Sequence, residues 1–238
     1  MKCGNVYISP KSWDIIMQDI INEEMKEKMI YSEKECNFVK NFRIMGLTRV
    51  EEIGKSAAEK ACGFIRDMTG NHVETKSVNV MITTPLEIKE EKIKNDYKIV
   101  TGINFSGDIN GIGVLIFSED CALKLSKSML AGMGMEDYSD ELDEMKISAL
   151  NETCNLIISA YVDTIANFMD ISLNMSPPFF IKGIEYEIIE NIFGDCGVNN
   201  QDLVLTFKSG LFSQGIGSGF EVLIVMPPNS INTLFKKL

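Results

Sequence analysis

The chain predicts an α+β fold in which two similar halves share one antiparallel sheet with helices packed on it. Three observations carry that expectation. Two long amphipathic helical runs, Thr48 to Met68 and Leu142 to Phe168, each lead into strand material. The apolar segment VLIF at Val114 to Phe117 is echoed by VLIV at Val222 to Val225, each entering a strand end and then an amphipathic helix. Glu52 and Glu152, 100 residues apart, hold equivalent places in the two long helices. Units that repeat in this way bury their apolar faces against a shared sheet.

Taken in order, residues 1–45 read as an N-terminal helical extension. Pro10 suits an early helical position, and Trp13, Ile16, Met17, Ile20, Ile21 and Met25 recur at helical spacing before a polar connector, YSEKECN. Such a helix either docks on its own domain or binds a partner. Residues 46–238 form the main domain, with pseudo-repeats at about 46–135 and 136–238. In the first, the helix Thr48 to Met68 has Val50, Ile53, Ala57, Ala61, Phe64 and Met68 as its buried stripe. A strand at His72 to Thr83, a charged and solvated turn at Glu87 to Lys94, strands at Tyr97 to Gly107 and Gly111 to Ser118, and a helix at Glu119 to Leu130 follow. The second repeat has its long helix, strand material near Ile171 to Ile181, strands at Asp202 to Phe212 and Phe220 to Met226, and a short helix at Asn229 to Lys237. Between the halves lies GMGMEDYSDELDE, whose Ser139 and later acidic residues suit a helix N-terminus. The glycines of GLFSQGIGSG lie between two strands, so they read as a hairpin turn and not as a phosphate loop.

Composition narrows the function classes. A net charge of −11 argues against nucleic acid or anionic lipid as the main partner. No run approaches the ~20 apolar residues of a membrane span, and MKCGNVYISPKSWD lacks the apolar core of a signal peptide, so a cytoplasmic protein without membrane insertion is expected. The cysteines at 3, 36, 62, 121, 154 and 196 form no C-x-x-C pair and His72 is the sole histidine, which reads as small buried hydrophobes in a reducing compartment with no metal set.

Chemistry concentrates in SALNETCNLIISAYVDTIANFMDISLNMSPP, Ser148 to Pro178. Ser148, Glu152 and Asn155 sit at i, i+4 and i+7, which at about 100° per residue places a hydroxyl, a carboxylate and an amide within roughly 60° of arc. Ile147, Cys154, Ile158, Tyr161, Ile165 and Phe168 share a different, apolar face. Polar residues on the outer side of an amphipathic helix are usually just solvated, so the triplet alone identifies nothing.

The longer pattern does. Ser148, three residues, Glu152, two residues, Asn155, then twenty-two residues and Pro178 resembles the signature of the CheC/CheX/FliY chemotaxis phosphatases. GIGVLIFSEDCALKLSKSMLAGM at Gly111 to Met133 also resembles the strand and helix that precede the signature in CheX-type members. The resemblance implies a hydrolase of two-component signalling: a homodimeric phosphatase whose partner is a phosphorylated CheY-type response regulator. The divalent metal of the reaction would lie on that receiver, with no cofactor on this chain. By analogy Asn155 orients the attacking water, Glu152 docks a receiver lysine, Ser148 supports the face and Pro178 shapes the following strand. The first long helix departs from the pattern. Thr48, Glu52 and Lys55 have the spacing, but lysine replaces the amide and Val78 stands where the proline would be, so this degenerate second site reads as structural. No FliY-type docking peptide is matched near the N-terminus. The alternative is a non-catalytic binding or scaffold module of the chemotaxis or flagellar switch apparatus on the same fold.

Overall fold

The strand order is palindromic. A computed structural model describes residues 2–3, 6–18, 44–92, 96–135 and 139–237. Among them nine strands form one sheet: β1 (Lys2–Cys3), β2 (Val6–Ile8), β3 (Val73–Thr83), β4 (Tyr97–Gly107), β5 (Gly111–Phe117), β6 (Leu173–Met175), β7 (Phe179–Ile184), β8 (Val204–Ser213) and β9 (Ser218–Met226). Their order is β1-β2-β3-β8-β9-β5-β4-β6, with β7 also on β4. Outward from the central β5·β9 pair, β8 then β3 on one side answer β4 then β6 and β7 on the other. The two echoed segments are each other's partners, Val114 opposite Leu223 and Leu115 opposite Val222.

Both faces of those strands are covered, which explains why their sequences are continuous apolar runs. Leu115, Phe117, Val222 and Ile224 join one core, while Ile112, Val114, Ile116, Leu223 and Val225 join a second. The first core lies under the long helices α2 (Ile44–Thr69) and α5 (Glu144–Met169) and includes residues of α4 (Glu119–Gly132) and α7 (Pro228–Lys237). Both long helices stop alike: Gly70 follows α2 with φ +67° and Asp170 caps α5 with φ +53°, left-handed positions that end a helix.

The helix α5 crosses the sheet obliquely. Ile158 lies over Gly113 of β5, where an added Cβ would stand 2.7 Å from the Ile158 Cδ1, and the Tyr161 hydroxyl donates to Ser209 Oγ on β8 at 2.7 Å. Lys60 Nζ donates to Thr164 Oγ1 at 3.2 Å and ties α2 to α5. Two residues assigned to buried stripes lie outside: Phe64 is 40% and Phe168 42% exposed, and the core takes Ile65 and Met169 instead. Helical period assigns a side, but not how far along the helix a covering layer extends.

The second core corrects the expected charged loop. Residues Pro85–Glu90 form α3, opened by a capping box in which Thr84 accepts from the Glu87 N–H and the Glu87 carboxylate accepts from the Thr84 N–H, with Pro85 in the first turn. Ile88 and Lys89 are buried. A second helix absent from the sequence reading, α6 (Glu185–Asp195), lies on the same face through Ile188, Ile189, Ile192 and Phe193. Lys89 Nζ reaches Glu190 at 2.9 Å, and Lys92 Nζ bridges Glu185 at 2.6 Å and Glu221 at 2.9 Å.

The first residues extend the sheet. Every pairing is antiparallel except that of β2 with β3, where Val6, Tyr7 and Ile8 run parallel to Val80, Met81 and Ile82. The helix α1 (10–18) then places Ile16 in the first core. Ser9 Oγ accepts from the Ser12 N–H at 3.0 Å and donates to Glu87 Oε2 at 2.6 Å. Ile20, Ile21 and Met25 of the expected N-terminal helix, and its YSEKECN connector, lie outside the described residues.

Candidate functional site

The start of α5 is set by Asp143, not by Ser139. The Asp143 carboxylate accepts from the Lys146 N–H at 2.9 Å and pairs with Lys146 Nζ at 3.0 Å. These bonds hold its pKa below the usual carboxylate value, the backbone bond first among them. Ser139 instead turns the preceding chain by accepting from the Glu141 N–H at 3.2 Å.

From this cap the helix buries Ala149, Leu150, Thr153, Cys154, Ile157, Ile158 and Tyr161 and turns its opposite side outward. Ser148 and Glu152 are exposed and Asn155 is half-buried. Among the described residues no hydrogen bond or ion pair engages these three side chains. The only side-chain bond at Asn155 goes to its backbone carbonyl, which accepts from Ser159 Oγ. The inward side of the same helix offers no reactive group: burial pushes the Cys154 thiol up to about 12, against a small opposing pull from the Thr101 hydroxyl, and burial also raises the Tyr161 phenol.

Pro178 belongs to the sheet edge and not to the helix face. Along β4 the ladder runs from Tyr97↔Ile184 to Gly102↔Phe179, breaks, and resumes at Phe105↔Met175. At the break Ser176 exchanges bonds with Asn104, its N–H donating to the Asn104 carbonyl at 2.9 Å and its Oγ accepting from the Asn104 N–H at 3.1 Å. Pro177 and Pro178 have no N–H to continue the ladder, so one edge strand becomes two.

The other half differs at both points. Thr48, Glu52 and Lys55 are exposed on α2, but Lys55 is ion-paired with Glu51, one turn before it, while Glu52 has no ion pair among the described residues. Val78 packs against the first core within β3, whose ladder to β8 runs from Val73 to Thr83 with one irregularity between Thr75 and Ser77. Two further residues flank the α5 face. Met145, at i−3 from Ser148 and i−7 from Glu152, is 52% exposed, and Asn151 is half-buried with its Oδ1 shut from solvent and without a partner. The spacing of Met145 was readable in the sequence, whereas the orphaned amide oxygen was not.

A cavity of about 520 Å³ lies elsewhere, lined by residues such as Lys92, Lys208, Glu185, Glu221 and Phe212. Among the described residues no three His, Cys, Asp or Glu side chains converge on a metal-sized site, and no helix is long and apolar enough to cross a membrane. The α5 face is an open surface that presents a carboxylate and an amide uncommitted among the described residues.

Comparison with known proteins agrees with this architecture. The sequence model of the family described as chemotaxis phosphatase CheX matches residues 99–208, a stretch that contains Ser148, Glu152, Asn155 and Pro178 and leaves α2 outside. The CheY-P phosphatase CheX of Thermotoga maritima is 28% identical over 127 residues, covering 52% of this chain and 71% of that protein. The crystal structure of Thermotoga maritima FliY superposes with a TM-score of 0.62 at 18% identity, covering 82% of this chain and 96% of that one. The FliM middle domain from H. pylori superposes with a TM-score of 0.59 at 13% identity, covering 83% and 100%. The likeness to these two solved structures is one of fold. Over residues 99–208 the chain is thus similar to the CheX chemotaxis phosphatases, and it shares its fold with FliY and the FliM middle domain.

Proposed function

We propose that this protein is a cytoplasmic phosphatase that hydrolyses the aspartyl phosphate of a CheY-type response regulator. The observation that carries this reading is the pair Glu152 and Asn155, one turn apart on the outer face of α5 and without partners among the described residues. In the reaction a water attacks phosphorus, the bond from phosphorus to the aspartyl oxygen breaks, and inorganic phosphate and a free carboxylate result. The transition state is loose, so the accelerating partner has mainly to place the water in line.

An amide suits that task, because its oxygen accepts from the water while its nitrogen can donate to a neighbouring oxygen. Asn155 takes this role. Glu152 pairs with a lysine of the receiver and sets the register of docking, and Ser148 supports the face. Pro178 acts at one remove, by shaping the edge strand beside β4. The divalent metal belongs to the receiver, and this chain contributes no cofactor. Thr48, Glu52 and Lys55 do no chemistry: Lys55 is a donor only and is already paired with Glu51. Self-association as a homodimer is part of the same reading.

The test follows decay of a phosphorylated receiver with and without this protein. Replacing Asn155 by Ala should slow the accelerated decay by about 10²- to 10³-fold, the loss of about 2.7–4 kcal/mol seen for comparable polar groups. The same replacement should move unfolding free energy by no more than about 0.5 kcal/mol, since it severs no bond within the chain. Equal decay rates with wild type and Asn155→Ala would refute the assignment.

A second reading has a specific observation in its favour. The FliM middle domain shares the fold, and a protein with one degenerate half could serve as a binding module of the flagellar switch. Loss of a partner in pull-down on removal of residues 1–45, with no effect of Asn155→Ala on receiver dephosphorylation, is the outcome that favours it.

A further inference from the structure

The first turns of α5 carry more than the Ser148, Glu152 and Asn155 triplet. Met145 lies on the same outward side at i, i+3, i+7 and i+10 with Ser148, Glu152 and Asn155, and 52% of it is exposed, among the largest values for apolar side chains of the described residues. A methionine standing out of a helix presents a flexible, polarizable side chain of the kind that fills a recess on a partner. Around it the charge is one-sided. Glu141, Glu144 and Glu152 are exposed and make no ion pair among the described residues. The nearby lysines are already engaged: Lys127 Nζ holds Asp140 at 2.6 Å, and the buried Lys146 holds Asp143 at 3.0 Å. An apolar anchor inside a rim of uncompensated carboxylates, continuous with the reactive pair, is the anatomy of a docking surface for a partner with a basic rim.

We infer that Met145, framed by Glu141 and Glu144, is the docking anchor that selects the receiver, seating in an apolar recess beside its phosphorylated pocket. The inference rests on the function proposed above and adds the residue that determines specificity. Met145 is a positioning residue: it touches the partner's surface and not the phosphoryl group. Its contribution is therefore to binding, while that of Asn155 is to the chemical step.

The experiment measures receiver dephosphorylation over a range of phosphorylated receiver concentrations. Met145→Ala should raise KM about tenfold with kcat unchanged, the scale of one truncated anchor at an interface. Met145→Leu should restore the wild-type KM, because the recess requires apolar volume and not sulfur. Glu144→Gln should weaken the dependence of KM on salt. A KM unchanged by Met145→Ala, beside a wild-type protein that is active, overturns the docking assignment and leaves the phosphatase standing. No acceleration by wild type overturns both. Should Met145→Ala alter the mass of the protein in light scattering while KM stays constant, the face is a contact between copies of this chain and the inference fails.

Discussion

The Glu87 carboxylate is a single point on which two helix starts depend, and removing it tests whether residues 6–18 are part of the folded domain. Its Oε2 accepts from Ser9 Oγ at 2.6 Å, from Thr83 Oγ1 at 2.9 Å and from the Thr84 N–H at 3.1 Å. Ser9, Ser12, Thr83 and Thr84 are all buried. Replacement by Ala would leave several of these donors without an acceptor. Hydrogen bonds to a charged group contribute about 1.5–3 kcal/mol each and an orphaned buried donor costs about 1–3 kcal/mol. Since the three donors share one oxygen and the residue is half-buried, the sum is well below additive, and Glu87→Ala should lower unfolding free energy by about 2–4 kcal/mol. The loss should be local first: amide hydrogen exchange at residues 6–18 should accelerate before exchange in β5 and β9 does. Burial works to raise the pKa of Glu87, but the hydroxyls of Ser9 and Thr83 and the Thr84 N–H outweigh it and hold the carboxyl below its usual value. A carboxyl whose folded pKa is depressed contributes stability that is present above its unfolded value, near about 4.3, and disappears as pH falls through the lower folded value. Urea midpoints of wild type should thus fall more steeply below about pH 4.3 than those of Glu87→Gln. A variant with unchanged urea midpoint and unchanged exchange at residues 6–18 would refute the reasoning.

Two other expectations concern how α5 is held. Gly113→Ala should cost about 1–3 kcal/mol in thermal unfolding, because its Cβ would approach Ile158 Cδ1 and Cγ2 at 2.7 and 2.8 Å and Ile224 at 2.8 Å, which pushes the helix off the sheet. Asn151→Leu should leave stability equal or raise it by about 1 kcal/mol in urea titration, since it replaces a buried, unpartnered amide oxygen with an apolar group of similar shape; a loss greater than that would show that the amide has a partner in solution.

Much of the fold was legible where the signal was local. The long helices α2 and α5 were expected at Thr48 to Met68 and Leu142 to Phe168 and are found at Ile44–Thr69 and Glu144–Met169. The hairpin reading of the glycines after Gly210 holds as well, with Gly217 at φ +68° in the β8–β9 turn. The missed helices had signals too. The T-P-x-E start at Thr84 to Glu87 is a capping box with proline in place, and Ile188, Ile189, Ile192 and Phe193 have helical spacing. Lys89 and Lys92 lie in the charged stretch read as a solvated turn, and the stretch around Glu185 and Glu190 received no assignment. Their ion pairs join residues about a hundred positions apart, so no window along the chain contains both partners.

Sequence by itself determined the two long helices and the side of α5 on which Ser148, Glu152 and Asn155 stand. Both follow from a repeat written among near neighbours, 3.6 residues per turn of helix, whereas the pairing of the like segments at the centre of the sheet joins residues more than 100 positions apart. Tertiary structure alone decided that Lys55 is engaged while the Glu152 and Asn155 side chains have no partner among the described residues, that Phe64 and Phe168 overhang the core, and that the sheet is covered on its second face. Those outcomes depend on which distant residues arrive at the same place, and the free energy of a side chain's surroundings is set by that arrival and not by its neighbours in sequence.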